Sequence, residues 1–115
     1  MQEVKRVVAE ISGRRSKERY CILCYAVEIA RRYQPQEPQM KSVCEEIRKE
    51  IGKQSNNTVL KALSRAVDDI WEQGDRVKLQ EIYGRPLWER PSPKELVVML
   101  AQYVWERCSD EWAEK

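Results

Sequence analysis

A cluster of short polar and basic side chains opens the segment SNNTVLKALSRAVDDIWEQGD, residues 55–75. Asn, Lys and Arg side chains can pair with the base edges of DNA, and a Thr methyl group can contact a thymine methyl. At helical spacing, the polar residues of this segment fall opposite its apolar ones. The pattern is therefore compatible with a helix whose first turns read a major groove. The residues expected on its outer side are Asn57, Thr58, Lys61, Ser64 and Arg65.

The same polar residues are also compatible with an ordinary solvated helix. Asn and Ser commonly precede the first turn of a helix, and polar residues cover the outer side of most helices in small domains. Asp68 and Asp69 follow on the same helix, and their carboxylates would repel phosphate. The sequence therefore limits a DNA-reading surface to the first two turns of this helix.

The cysteine and carboxylate patterns do not indicate a catalytic or metal centre. Cys21 and Cys24 form a Cys-x-x-Cys pair inside an apolar helix, where thiols are expected to be buried and to pack rather than react. The chain has no His, which excludes Ser–His and Cys–His catalysis, and it has no glycine-rich phosphate loop. Asp68 and Asp69 are adjacent and should point to different sides of their helix. We expect neither an enzyme nor a bound cofactor or metal ion.

Helical periodicity places the candidate helix among five others. Gly52 and Gly74 are expected to end two helices, and Asp75 is expected to cap the next one. Ser92 and Pro93 form a strong N-terminal signature for the last helix. The second helix is apolar on most sides, which predicts a central position in an all-α fold of about six helices. The predicted helices span residues 3–11, 16–33, 40–52, 56–73, 76–83 and 93–108.

Composition indicates one small helical domain. The chain has 115 residues, enough for one modest core, and charged residues make up 35% of it, mostly the helix formers Glu, Lys and Arg. Its net charge of +2 does not by itself indicate nucleic acid. No apolar stretch reaches the ~18 residues of a membrane span, and the N-terminus lacks a long apolar signal segment. We expect a cytoplasmic protein with no membrane partner.

Three motifs in a fixed order give the chain a resemblance to a known family. The tetrapeptide WEQG (71–74) ends a helix of the form V-x-x-A-[IL]-x-x-A-[IV], and RPSPKELVVMLAQYV and RVVAEIS lie near the two ends of the chain. Together they resemble the C-terminal effector domain of the sporulation initiation response regulator, the stage-zero sporulation protein A family of endospore-forming Firmicutes. The similarity runs from about residue 5 to about residue 106. No phosphoacceptor receiver domain accompanies it in this sequence, so we expect either an excised fragment or a stand-alone relative, and the initial Met favours the second.

That resemblance implies a six-helix DNA-binding domain with its helix-turn-helix at residues 40–73. The family binds a short promoter element in double-stranded DNA, often as tandem copies, and contacts an RNA polymerase sigma factor. The resemblance therefore implies both partners and a homodimer on DNA. The family's base-reading pattern, R-x-E-R-x-x-R, is replaced here by Thr58, Leu60, Lys61 and Ser64. Because its Arg-to-guanine and Glu-to-cytosine pairs are missing, the family's DNA sequence preference is not expected in this chain.

Basic residues near the turn and near the last loop are candidates for phosphate contacts. They include Lys53 in the turn, Arg90 in the loop before the last helix, and Lys94 at the start of that helix. Trp88 in the same loop is expected to be exposed, and exposed aromatic residues often mark contact surfaces.

Two hypotheses from different classes follow. The first is a sequence-specific DNA-binding domain of the transcription-regulator type, in which the helix at 56–73 reads the major groove within sporulation or a related gene programme. The second is a protein-interaction module that kept the fold and lost specific DNA binding.

Overall fold

The part of the chain that the structure describes forms six α-helices, as the sequence predicts. The computed structural model describes residues 2–13, 19–34, 36, 38–52 and 55–113. These residues contain no strand, which confirms the all-α class, and no helix among them is long and apolar enough to span a membrane. The helices are α1 (Gln2–Ile11), α2 (Arg19–Tyr33), α3 (Met40–Ile51), α4 (Asn56–Gln73), α5 (Arg76–Tyr83) and α6 (Pro93–Ala113).

The helix ends agree closely with the predicted capping and terminating residues. Gly52 adopts a left-handed conformation, φ +89°, directly after α3. Asp75 caps α5, because its Oδ1 accepts a hydrogen bond of 3.0 Å from the backbone N–H of Lys78. Ser92 caps α6 in the same way, accepting a bond of 3.1 Å from the N–H of Glu95. The structure differs at the end of α6, which continues past residue 108, since no Gly or Pro interrupts it. The first residues predicted for α2, 16–18, lie outside the described ranges.

The second helix lies at the centre of the fold. α2 packs against α1, α3, α4 and α6, and one cluster of buried apolar side chains draws members from all six helices. The predicted apolar stripes are confirmed on α1 and α4 by the following buried residues: Val4, Val7, Val8, Ile11, Val59, Leu63, Ala66, Val67 and Ile70.

One side of α2 is less buried than its composition suggests. Tyr25 is 36% exposed, and Cys21, one turn earlier on the same side, is also exposed. The prediction that Cys21 is a buried thiol is therefore wrong, and the helix that is apolar on most sides leaves Tyr25 partly exposed. The neighbouring helices cover the opposite side of α2, where Leu23, Val27 and Ala30 are fully buried.

A close backbone contact joins α1 to the turn between α4 and α5. The N–H of Asp75 donates to the carbonyl oxygen of Ile11 at 2.9 Å. Gly74 lies directly under this contact: a Cβ atom there would be 2.3 Å from the Ile11 oxygen and 2.6 Å from the Ile70 oxygen. Both neighbours are backbone atoms and cannot rotate away, so the turn has room only for glycine.

Replacing Gly74 by Ala should destabilise the protein through this overlap. We expect Gly74→Ala to lower the free energy of unfolding by about 3 kcal/mol in urea titrations, because a methyl group must displace packed backbone. Gly52→Ala is the matched control. It has nothing within 4 Å of its added Cβ but a left-handed backbone, so a cost of about 1 kcal/mol is expected. Equal losses in the two variants would contradict the steric explanation.

A charged pair lies at the edge of the core on α2. The side chain of Glu28 is only 8% exposed. Arg31 Nε donates to its Oε2 at 3.0 Å, and Arg31 Nη2 pairs with its Oε1. The hydrogen bond from Arg31 lowers the pKa of Glu28 below its ordinary value of 4.5, against the opposing effect of burial. A carboxyl group with a lowered folded-state pKa stabilises the fold above its ordinary pKa, and this contribution is lost as the pH falls through the folded-state value.

Neutralising Glu28 should therefore remove a pH-dependent part of the stability. We expect Glu28→Gln to lower the free energy of unfolding by about 1–3 kcal/mol at pH 7, as for a lost hydrogen bond to a charged group. Denaturant titrations at several pH values should show the difference from the wild type narrowing below pH 4.5. A difference that stays constant down to the acid transition would show that the Arg31 pair does not set the pH dependence.

Candidate nucleic-acid interface

Two neighbouring helices, α3 and α4, are joined by residues 52–55 and pack against each other and against α2. A side-chain bridge spans the connection, since Arg48 Nη1 on α3 donates to Asn56 Oδ1 on α4 at 3.2 Å. Asn56 is therefore occupied in holding the two helices together. The arrangement fixes the start of α4 relative to α3 and to the core.

The start of α4 is ordered by its own side chains. Ser55 is the N-cap: its Oγ accepts a hydrogen bond of 3.2 Å from the N–H of Thr58. The hydroxyl groups of Ser55 and Thr58 are also 3.0 Å apart, within hydrogen-bond distance. The Thr58 hydroxyl is thus engaged locally, and its methyl group is what remains for contact with another molecule.

The outer side of the front half of α4 carries most of the predicted contact residues. Val59 and Leu63 on the inner side are fully buried, and Leu60, at the edge of the outer side, is 39% exposed. The helix is therefore firmly seated while its polar side stays open. The exposed predicted residues on this helix are Asn57, Thr58, Leu60, Lys61 and Arg65.

Ser64 differs from the other predicted contact residues on α4. It is half-buried, and its Oγ accepts a hydrogen bond of 2.9 Å from Arg90 Nη2. The same Nη2 lies 3.5 Å from the Ser64 carbonyl oxygen. Arg90, which the sequence makes a candidate phosphate contact, is therefore held against α4. Nothing in the local sequence signals this contact, because 26 residues separate its two partners.

Charge is divided sharply along α4. Residues 56–65 contain Lys61 and Arg65 and no carboxylate, whereas residues 66–73 contain three carboxylates and no basic residue. The N-terminal half of the helix thus combines two positive side chains with the positive end of the helix dipole. Only this half has the charge that a phosphate backbone would favour, which agrees with the surface expected from the sequence.

The two remaining predicted contact residues lie away from α4. Lys53 is outside the described residues. Lys94 is exposed on the first turn of α6, where it lines an open cavity of about 480 Å³ together with Tyr83 and Arg85. Burial and the nearby Glu95 carboxylate raise the pKa of Tyr83 to about 12, so its phenol stays protonated at neutral pH.

The central thiols have packing rather than acid–base character. Cys24 is buried, and burial raises the pKa of its thiol to about 11. Cys44 on α3 is also buried, and burial raises its pKa as well. Both are protonated at neutral pH and contribute apolar surface to the core.

Comparison of the chain with models of protein families, with curated proteins and with solved structures finds no match.

Removing the N-cap should loosen the front of α4. We expect Ser55→Ala to cost about 1 kcal/mol of folding free energy, and to speed amide hydrogen exchange over the first turn of the helix, because the Thr58 N–H loses its acceptor. Ser55→Asp keeps an oxygen acceptor at the N-cap and should restore wild-type exchange. Exchange that is unchanged in Ser55→Ala would show that the cap does not order this surface.

Proposed function

We propose that this chain is a sequence-specific DNA-binding domain of the transcription-regulator type, with α3 and α4 as its helix-turn-helix. One observation carries the proposal: the front half of α4 is seated on the core by Val59 and Leu63, and it presents polar and basic side chains without any carboxylate. This combination suits a helix that inserts its N-terminal turns into a major groove.

The chemistry of the exposed side chains suggests a division of tasks. Asn57 can pair bidentately with adenine, and Lys61 can bind the O6 and N7 atoms of guanine. Leu60 and the Thr58 methyl group offer apolar contact to thymine methyls. Arg65, one turn after Lys61, is placed for a phosphate contact, as is Arg48 near the connection between α3 and α4. The expected DNA code therefore differs from that of the resembled family.

The wider biological role rests on the resemblance alone. It supports a cytoplasmic regulator in sporulation or a related gene programme, two copies of the chain on tandem DNA elements, and contact with an RNA polymerase sigma factor. It also supports a role without catalysis, since base reading and phosphate contact need no reactive group.

The test is selection from a random-sequence duplex pool, followed by titration of the selected duplex with variants. We expect Lys61→Ala and Arg65→Ala each to weaken binding by about 1–3 kcal/mol, and Arg65→Ala to reduce the salt slope by about one phosphate contact. Lys5→Ala, which removes an exposed positive charge from α1, is the matched control and should bind like the wild type. Losses of the same size in all three variants would mean that only net charge drives binding.

A second candidate function is favoured by one exposed side chain. Trp88 is 87% exposed in the loop between α5 and α6, and a Trp in such a position is a frequent anchor of protein interfaces. On this alternative, the chain is a protein-interaction module. The selection then yields no consensus, and the Lys61 and Arg65 variants bind a purified RNA polymerase holoenzyme as well as the wild type does.

A further inference from the structure

Arg90 connects the loop of residues 84–92 to the outer side of α4. Its Nη2 donates to Ser64 Oγ at 2.9 Å, and its Nε forms an ion pair with the carboxylate of Asp68. Ser64 and Asp68 are four residues apart and lie one above the other on the helix. A single planar guanidinium therefore covers a full turn of α4, which is a geometry that Arg can provide and Lys cannot.

Asp68 is the first carboxylate that follows the proposed DNA contacts. It comes three residues after Arg65 and is 53% exposed. Its neighbour Asp69 is directed elsewhere, because it accepts a hydrogen bond from the Tyr20 hydroxyl on α2. Without its ion pair to Arg90, Asp68 would thus place a negative charge within about one Debye length, ~8 Å, of a phosphate bound at Arg65.

We infer that Arg90 is a positioning residue that covers the charge of Asp68, and that it does not itself bind phosphate. By neutralising this turn and docking the loop on it, Arg90 extends the DNA-compatible side of α4 from two turns to three. This role rests on the proposed function. It makes the loop of residues 84–92 part of the proposed DNA-binding surface of α4. At the turn that contains Asp68, the proposed ligand is the DNA backbone. It passes close to α4 there but forms no ion pair with Arg90.

The partial exposure of the pair supports a role beyond stability. The Arg90 side chain is 31% exposed and Asp68 more so, and exposed ion pairs contribute little to folding. The pair nevertheless brings together residues from distant parts of the chain on the one helix that presents polar side chains to a ligand. Neutralisation of the Asp68 carboxylate explains why the Arg90 guanidinium lies where the sequence of α4 becomes acidic.

The test is a charge-restoration experiment on the selected duplex, measured by fluorescence anisotropy at low and moderate salt. Arg90→Ala uncovers Asp68, so we expect binding to weaken about tenfold, a Coulomb effect at close range in a medium of intermediate dielectric. Adding Asp68→Asn removes the uncovered charge. The double variant should therefore return to within about threefold of the wild type and keep the wild-type salt slope.

Two controls separate charge cover from other roles of Arg90. Arg85→Ala removes one positive charge from the same loop, at a position where the side chain is exposed. Adding Asp68→Asn should not restore any DNA binding that Arg85→Ala loses. If Arg90→Ala does not fold, Arg90→Gln replaces it, alone and in combination with Asp68→Asn. The Gln and Asn side chains keep a hydrogen-bonding amide at each substituted position. Thermal melting of every variant reports whether the loop stays docked.

The opposing outcomes are distinct. If Arg90 binds phosphate directly, the double variant stays as weak as Arg90→Ala, and its salt slope falls by about one. If Arg90 only holds the loop, the loss of binding follows the loss of melting temperature and is not rescued. Either result overturns the inference while the wild type still binds DNA. A wild type that binds no duplex would instead overturn the proposed function, and the inference with it.

Discussion

The burial of α2 is the constraint on which the rest of the structure depends. This helix is apolar on most of its circumference, and a chain of 115 residues has few other elements with which to cover it. The fold covers it with four helices, α1, α3, α4 and α6. Two of its polar groups have partners at the edge of the core: Glu28 pairs with Arg31 on α2 itself, and Tyr20 with Asp69 on α4.

Once α2 is covered, the presentation of α4 follows. The buried side of α4, with Val59, Leu63 and Val67, faces the core, so the polar side of its front half faces outward. The Arg48–Asn56 bridge and the Ser55 cap then fix the position and order of the first turn. A surface that is to recognise another molecule needs such preorganisation, because each side chain ordered only on binding reduces affinity.

The acidic second half of α4 has a structural role at Asp69 and a consequence for recognition at Asp68. Asp69 accepts a hydrogen bond from the Tyr20 hydroxyl beside the core, whereas Asp68, one residue earlier, is exposed on the outer side. The loop before α6 meets this charge with Arg90. The helix that we propose as a DNA reader is therefore divided between a front half that offers donors and apolar contacts, and a rear half in which Asp68 pairs with Arg90 and Asp69 with Tyr20.

Much of the fold, and part of the candidate surface, could be read from the sequence because they depend on local rules. Helical spacing gave the core stripes of α1 and α4, and the caps at Asp75 and Ser92 depend only on residues three positions away. The exposure of Asn57, Lys61 and Arg65 follows from the same periodicity. These features were predictable because neighbours in the helix are also neighbours in the sequence.

Only the tertiary structure decided which side of α2 would be covered, and it left Tyr25 and Cys21 exposed. It also decided that Gly74 must admit the carbonyl of Ile11, and that Arg90 would bind Ser64 rather than remain available. Each of these contacts joins residues from different helices or loops. Their geometry depends on how the helices pack against one another, and no local periodicity carries that information.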